Sequence, residues 1–287
     1  MKGLILLGGT GSRLKPITTA VNKHFLPLYD KPIFYYPLST LMLMEINEIC
    51  LVGTSESLPF LKKSLGTGER FGCRFTYLSQ DAPKGIPNGI SIAKDFLGSE
   101  DFTMILGDNF FYGVGLGQAL TRKKFNGGAK IFGYEVSNPE DYGVVKIVDG
   151  KIIDVIEKPS KFISEIAITG LYQFDHDAIE LTESLHPSKS RNEYEITDLI
   201  REYNKRKKLE FELLPRGTAW LDTGNPNSLL EASMFVRVIE ERQGLKIGCL
   251  EEIAYRNSWI DKVQLSKIVD QEINNDYYKF LKRLLDK

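Results

Sequence analysis

Residues 2–16 read KGLILLGGTGSRLKP, and this stretch decides the fold. A continuous apolar run, Leu4 to Leu7, empties into a glycine-rich loop. That is the pattern of a strand buried on both faces, ending where the backbone must approach a ligand closely. Two phosphate-loop patterns can be tested on spacing. A dinucleotide fingerprint starting at Gly9 needs a third glycine where Leu14 stands, which weakens an NAD- or NADP-dependent oxidoreductase reading. A Walker loop needs Lys and Ser or Thr after Gly8, but Gly9 and Thr10 follow. What remains is a loop, Gly8, Gly9, Thr10 and Gly11, whose amides can wrap an anion, with Arg13 beyond it as a fork of donors for phosphate oxygens.

Outward from this strand, β-type runs alternate with helical patterns. The pattern predicts strands at Gly3–Leu7, Glu48–Thr54, Arg74–Ser79 and Phe102–Leu106, and helices near Ile33–Glu45, Leu58–Leu65 and Asn88–Leu97. Such alternation predicts an α/β fold, a mostly parallel sheet with helices on both faces. Ligands on these sheets bind beyond the carboxyl ends of the strands, where LGGTGSR, SQDAPKG and LGDN all fall. The segment VVKIVDGKIIDVIEKP then predicts a hairpin turning at Asp149-Gly150, so antiparallel strands extend the sheet. A strand near Ile166–Phe174, helices near Ala178–Leu185 and Glu195–Lys207, a strand Glu210–Leu214 and a turn at AWLDTGNP follow. The remainder reads as mainly helical, most clearly at Ser228–Glu241.

With 287 residues, 42% of them hydrophobic, the chain can bury a large core without staples. Its 37 Lys plus Arg against 38 Asp plus Glu leave no net field to recruit nucleic acid or an anionic membrane. No apolar run is long enough to span a membrane, and no cleavable signal precedes the first strand. Cys50, Cys73 and Cys249 lie far apart in apolar settings without His or Cys at ligand spacing, so a packing role in a reducing cytoplasm is expected. The basic run NKRKKLE reads as a solvated helix end.

Asp108, directly after an apolar strand, can bind a metal or cap the following turn. Asp222 in AWLDTG offers a second carboxylate, and Mg²⁺ on a nucleotide takes few protein ligands and fills the rest with water and phosphate. Lys23 lies in the non-periodic run TGSRLKPITTAVNKHFLP, expected as an ordered loop on the same rim. A cation there can stabilise charge on a phosphorus during transfer. Its neighbour His24 is expected to pack or hydrogen-bond, because an ionised phosphate nucleophile needs no base. Glu157 and Lys158 of VIEKPS set an acceptor and a cation side by side, as a sugar phosphate requires.

The set GGTGSRLKPIT, NKHFLPLYDKPIFYYPLSTLM, LGDN, FGYEV, YGVV, EKP, ITGLYQFD, EYEITD and RGTAWLDTG, in this order, resembles the glucose-1-phosphate thymidylyltransferases among the sugar nucleotidyltransferases. The resemblance implies a Rossmann-like, mostly parallel twisted sheet with an antiparallel sugar-binding extension and C-terminal helices. It implies that residues 1–225 form the catalytic unit, about 1–110 for nucleotide and about 111–225 for sugar phosphate, with 226–287 an oligomer or regulatory interface. Gly8, Gly9, Thr10, Gly11 and Arg13 would hold the triphosphate of dTTP, with Lys23 by the α-phosphate and Mg²⁺ on Asp108 and Asp222. Arg13, Lys23 and Asp108 would be the catalytic groups. Gln80, Gly85 and Ile86 would close on the base. Glucose 1-phosphate would lie against Asn109, Tyr142, Gly143, Glu157, Lys158, Thr169, Tyr172, Arg191 and Trp220. The resemblance also implies a homotetramer, a dimer of dimers, and a regulatory nucleotide site to which Arg216 and Arg256 correspond. The chain departs from the family's usual residues at GIPNGI (85–90), at His24 and at Gln118. UTP or another sugar 1-phosphate as substrate, and a non-catalytic nucleotide-sugar sensor, stay open as alternatives.

Overall fold

β1 (Lys2–Leu7) sends alternate residues to opposite sides of the sheet, Leu4 and Leu6 into one core and Ile5 and Leu7 into another. Both faces are therefore apolar, and the run needs no polar alternation. These features come from a computed structural model describing residues 1–82, 84–149, 151–188, 192–270 and 275–286. After β1, the expected loop is ordered by short 3-10 turns at Ser12–Leu14, Ile17–Thr19 and Lys23–Phe25. The short pair β2 (Pro27–Leu28) and β3 (Lys31–Pro32) leads into α1 (Tyr35–Leu43).

The alternating half continues as β4 (Glu48–Gly53), α2 (Leu58–Leu65), β5 (Arg74–Ser79), α3 (Ile86–Ile92), α4 (Lys94–Leu97) and β6 (Phe102–Leu106). The helix expected at Asn88–Leu97 starts two residues earlier, since Pro87 suits a first helical turn, and is divided at Ala93. β1 pairs in parallel with β4 and β6, and β4 with β5.

Next come β7 (Asn109–Tyr112), α5 (Leu116–Thr121), β8 (Ala129–Glu135), β9 (Gly143–Val148), β10 (Lys151–Glu157) and β11 (Ile166–Phe174). β9 and β10 form the expected hairpin, with Val148 opposite Lys151 and Asp149 at φ 50°; Gly150 lies outside the described residues. β11 runs antiparallel to β6 and β8, contacting β9 near its start and β6 from Leu171 onward across a register shift. The chain ends with α6 (Asp177–Glu183), α7 (Ile196–Lys205), β12 (Leu209–Leu213), β13 (Ala219–Asp222), α8 (Pro226–Gln243), α9 (Leu250–Arg256), α10 (Lys262–Asp270) and α11 (Asp276–Leu285). The central order is thus β12-β8-β11-β6-β1-β4-β5, parallel except for β11.

AWLD was expected as a turn, and it is a strand: β13 pairs antiparallel with β7, placing Asp222 opposite Asn109. One face of the sheet carries α3, α4, α6 and α7; the other carries α1, α2, α5 and the C-terminal α9 to α11. The C-terminal helices share the core of Ile5 and Leu7, and buried Glu251 ties them in by accepting from Arg70 Nη2 at 2.9 Å and the Tyr277 hydroxyl at 2.5 Å. The three cysteines are free and buried, and burial pushes the Cys50 and Cys73 thiols up to about 12. Among the described residues, no helix is long and apolar enough to cross a membrane.

Candidate active site

The carboxyl ends of β1 and β6 converge on one rim. Gly107, whose amide donates to the Leu6 carbonyl at 2.8 Å, leaves no space for a Cβ, which would meet Leu7 Cδ2 at 2.4 Å and His24 Cδ2 at 2.9 Å. This tight turn delivers Asp108 beside Lys23, whose Nζ donates to Asp108 Oδ2 at 2.5 Å. Asn22 caps the 3-10 turn that carries Lys23 by accepting from the His24 amide at 3.0 Å. Gly9, at φ 103°, brings the glycine loop over Lys23; a Cβ there would lie 4.0 Å from Nζ.

Burial works against charge on Asp108, but the Lys23 ammonium outweighs it and holds the carboxyl below the usual carboxylate range. Asp222 behaves oppositely: burial, then repulsion by Asp108, pushes it up to about 6 against the pull of Arg13 and Lys23. The Arg13 guanidinium lies beside Asp222, and a Cβ on Gly224 would fall 2.5 Å from its Nη2. His24 is buried, donates from Nδ1 to Asn22 Oδ1 at 2.9 Å, and is driven down to about 3 by burial and by Lys23. It is a neutral, hydrogen-bonded packing residue, as expected.

Two cavities meet at Asp108. The first, about 260 Å³, is lined by Gly8, Gly9, Lys23, Gln80, Gly85 and Ile86 from the nucleotide-side set. The second, about 250 Å³, is lined by Arg13, Asn109, Tyr142, Gly143, Glu157, Lys158, Tyr172, Trp220 and Asp222. β9 and β10 place Gly143 opposite Glu157, and the missing Cβ leaves room for that carboxylate at 3.3 Å. A larger cavity of about 780 Å³ lies beyond Gly9 and Thr10, walled in part by Phe25, Phe60 and Gln80, and contains neither Asp108 nor Asp222. The smaller pair holds Arg13, Lys23, Asp108 and Asp222.

Asn109 lines the second cavity as expected, and its polar atoms are also engaged by the fold. Its Oδ1 accepts from the Gly170 amide at 3.0 Å and from Trp220 Nε1 at 2.6 Å, while Nδ2 donates to Asp108 Oδ1 at 3.1 Å. It is a strap between β7, β11 and β13 as well as part of the wall. Thr169 does not line either cavity: fully buried, it donates to the Phe132 carbonyl at 3.0 Å, while its strand neighbours Ile168 and Gly170 face the cavity. Arg191 lies outside the described residues. Arg216 is exposed between β12 and β13, and Arg256 pairs with Glu252 at 2.8 Å at the end of α9; neither enters the two cavities. Thr197 was missed. It is 1% exposed, lines the second cavity, and its hydroxyl has no hydrogen-bond partner among the described residues. Its signal was its position within EYEITD at the first turn of α7.

The family model for nucleotidyl transferases matches residues 2–238. The chain is 46% identical over 288 residues to the glucose-1-phosphate thymidylyltransferase of Mycolicibacterium smegmatis, covering 100% of both chains. It belongs to the glucose-1-phosphate thymidylyltransferase family of nucleotidyl transferases. A Bacillus anthracis crystal structure assigned to these thymidylyltransferases, in complex with a sucrose, matches with a TM-score of 0.76 and 37% identity, over 83% of this chain and 95% of that one. A UDP-glucose pyrophosphorylase complexed with UDP-glucose matches with a TM-score of 0.72 and 26% identity, over 83% and 98%.

Nucleotidyltransferases of this kind usually use a divalent metal. The residues present fit one. The two carboxylates are close enough for Asp108 to raise Asp222, a repulsion that a cation relieves. Among the described residues, no cluster of three or more His, Cys, Asp or Glu forms a cage. That suits a metal coordinated mainly by phosphate and water.

Proposed function

We propose that this chain catalyses attack of glucose 1-phosphate on the α-phosphorus of dTTP, giving dTDP-glucose and pyrophosphate for deoxysugar synthesis. The observation that carries this reading is the junction of the two cavities, where Lys23, Arg13, Asp108 and Asp222 gather. A phosphate oxygen of the sugar 1-phosphate forms the new P–O bond as the α,β-bridging P–O bond breaks, and pyrophosphate leaves. The nucleophile is already ionised, so no base and no covalent enzyme intermediate are needed. The task is to hold two anions that repel one another in line.

In this reading Gly8, Gly9, Thr10, Gly11 and Arg13 bind the triphosphate, and Lys23 stabilises charge at the α-phosphate. Gln80, Gly85 and Ile86 take the base. Tyr142, Gly143, Glu157, Lys158, Tyr172, Arg191 and Trp220 form the sugar-phosphate side, with Asn109 holding Trp220 in place. Asp108 and Asp222 would hold Mg²⁺, which supplies charge neutralisation for the phosphates. We divide the chain at about 225, with 226–287 serving assembly or regulation. The exposed Leu230, Met234 and Val238, at helical spacing on α8, support contact between copies in a homotetramer. Arg216 and Arg256 are the candidates for a regulatory nucleotide, and free buried thiols accord with the cytoplasm.

The test is pyrophosphate release with glucose 1-phosphate and Mg²⁺, compared across dTTP, UTP, CTP, ATP and GTP. dTTP is expected to lead. Preference for UTP moves the product to another nucleotide sugar, and silence with every nucleotide and several sugar phosphates would favour the non-catalytic sensor.

A further inference from the structure

Gly85 and the helix α3 that it opens lie close against their neighbours. Gly85 stands at φ 96° and bridges to Tyr194, whose carbonyl oxygen would lie 2.1 Å from a Cβ at this position. Four residues on, a Cβ on Gly89 would lie 2.5 Å from Leu6 Cδ2. Both glycines are therefore needed to press the first turn of α3 onto β1 and the segment before α7. From that turn, Asn88 Oδ1 accepts from Gln80 Nε2 at 2.9 Å, and the Gly85 carbonyl accepts from the same nitrogen at 3.4 Å.

This arrangement fixes the orientation of the Gln80 amide. A backbone carbonyl can only accept, so the end of Gln80 facing Gly85 is the NH₂ group. Asn88 engages the same group, leaving the other end, Oε1, to face outward. Oε1 lies 3.3 Å from where a Cβ on Gly8 would stand, at the wall of the nucleotide-side cavity. An Asn88 amide turned the other way would offer a donor and release Gln80 from this orientation.

We propose that Asn88 is a positioning residue for base selection, holding Gln80 as a pure hydrogen-bond acceptor toward the base. This rests on the reading that the cavity beside Gln80 takes the nucleotide. Set opposite N3, a pure acceptor receives the N3–H of thymine or uracil and meets the lone pair on N3 of cytosine, whose 4-amino group can donate to it only if the base shifts in its plane. Asn88 thus selects keto-pyrimidines over amino-pyrimidines and is indifferent to the methyl that separates thymine from uracil. A site built around a hydrogen bond rejects a mismatched partner more strongly than an apolar pocket rejects a missing methyl.

The experiment measures kcat and KM for dTTP, UTP and dCTP with glucose 1-phosphate and Mg²⁺. Asn88→Leu is expected to lower kcat/KM for dTTP about tenfold and to narrow the dTTP-to-dCTP ratio by at least as much, chiefly through KM. Asn88→Asp keeps an acceptor for Gln80 and is expected to keep the parent ratio. The dTTP-to-UTP ratio should stay at the parent value in both. An Asn88→Leu enzyme with the parent dTTP-to-dCTP ratio overturns the proposal, as does a loss in kcat that is equal for every nucleotide. If Asn88→Leu does not fold, Asn88→Ala reads the same ratio in a residue suited to the helix. A parent enzyme with no preference for dTTP over dCTP defeats the assignment of the cavity itself, whereas a parent preference that survives Asn88→Leu defeats only the role of Asn88.

Discussion

Replacing Asn109 by leucine keeps the branched shape of the side chain and removes three polar engagements at once. The Gly170 amide and the Trp220 indole N–H, both now donating to Asn109 Oδ1, lose their acceptor in a buried setting. A buried donor left unpaired costs about 1–3 kcal/mol, so the two together cost about 2–6 kcal/mol. Against a total stability of roughly 5–15 kcal/mol, that is a large share. At about 2–4 °C per kcal/mol for chains of this size class, the melting midpoint should fall by roughly 5–20 °C. Thermal unfolding followed by circular dichroism reads this directly. The same variant should raise KM for glucose 1-phosphate, because Trp220 loses the contact that fixes its ring on the sugar-side wall. Asn109→Asp separates the two effects: its carboxylate still accepts from both donors, so most of the stability should return. It also replaces the amide donor to Asp108 with a like charge, so turnover should fall. An Asn109→Leu protein that melts within about 2 °C of the parent and keeps its KM would refute the strap described here.

Three further outcomes are expected. Lys23→Met should lower kcat by about 10²–10³-fold, the usual loss when a preorganised electrostatic contact to the transition state is removed; an unchanged kcat would dismiss Lys23 from the reaction. EDTA should abolish pyrophosphate release and added Mg²⁺ restore it, whereas activity that persists in chelator counts against Asp108 and Asp222 as metal ligands. Lys158→Ala should raise KM for glucose 1-phosphate more than for dTTP, and the reverse pattern would mean that the two cavities have exchanged roles.

The parts of the fold that could be read in advance rest on local signals. The uninterrupted apolar run of β1 required a helix layer on each face, and Asp149-Gly150 between alternating strands required a hairpin. The pairing of β7 with β13 had no such signal. AWLD is short, its hydrophobic residues do not alternate cleanly, and its partner is remote in sequence, so only tertiary structure turns the expected loop into a strand. The 3-10 turns around Arg13 and Lys23 are likewise too short to show a period. At the site, residue types announced the charged groups, while distances decided the neutral ones. An asparagine after Asp108 gives no sign in the sequence that its carbonyl is also engaged by Gly170 and Trp220. Thr169 looks equivalent to Ile168 and Gly170 until the pleat of β11 turns it toward Phe132.

The backbone bridge between Gly85 and Tyr194 also bears on how the protein is made. The two segments it joins come from opposite halves of the chain, so the bridge can form only after both have been synthesised. The wall beside Gln80 is therefore unfinished while the chain emerges from the ribosome, and a nascent polypeptide stopped before Tyr194 lacks one side of it. A split-protein reporter cut between these halves would complete this wall only on reassembly.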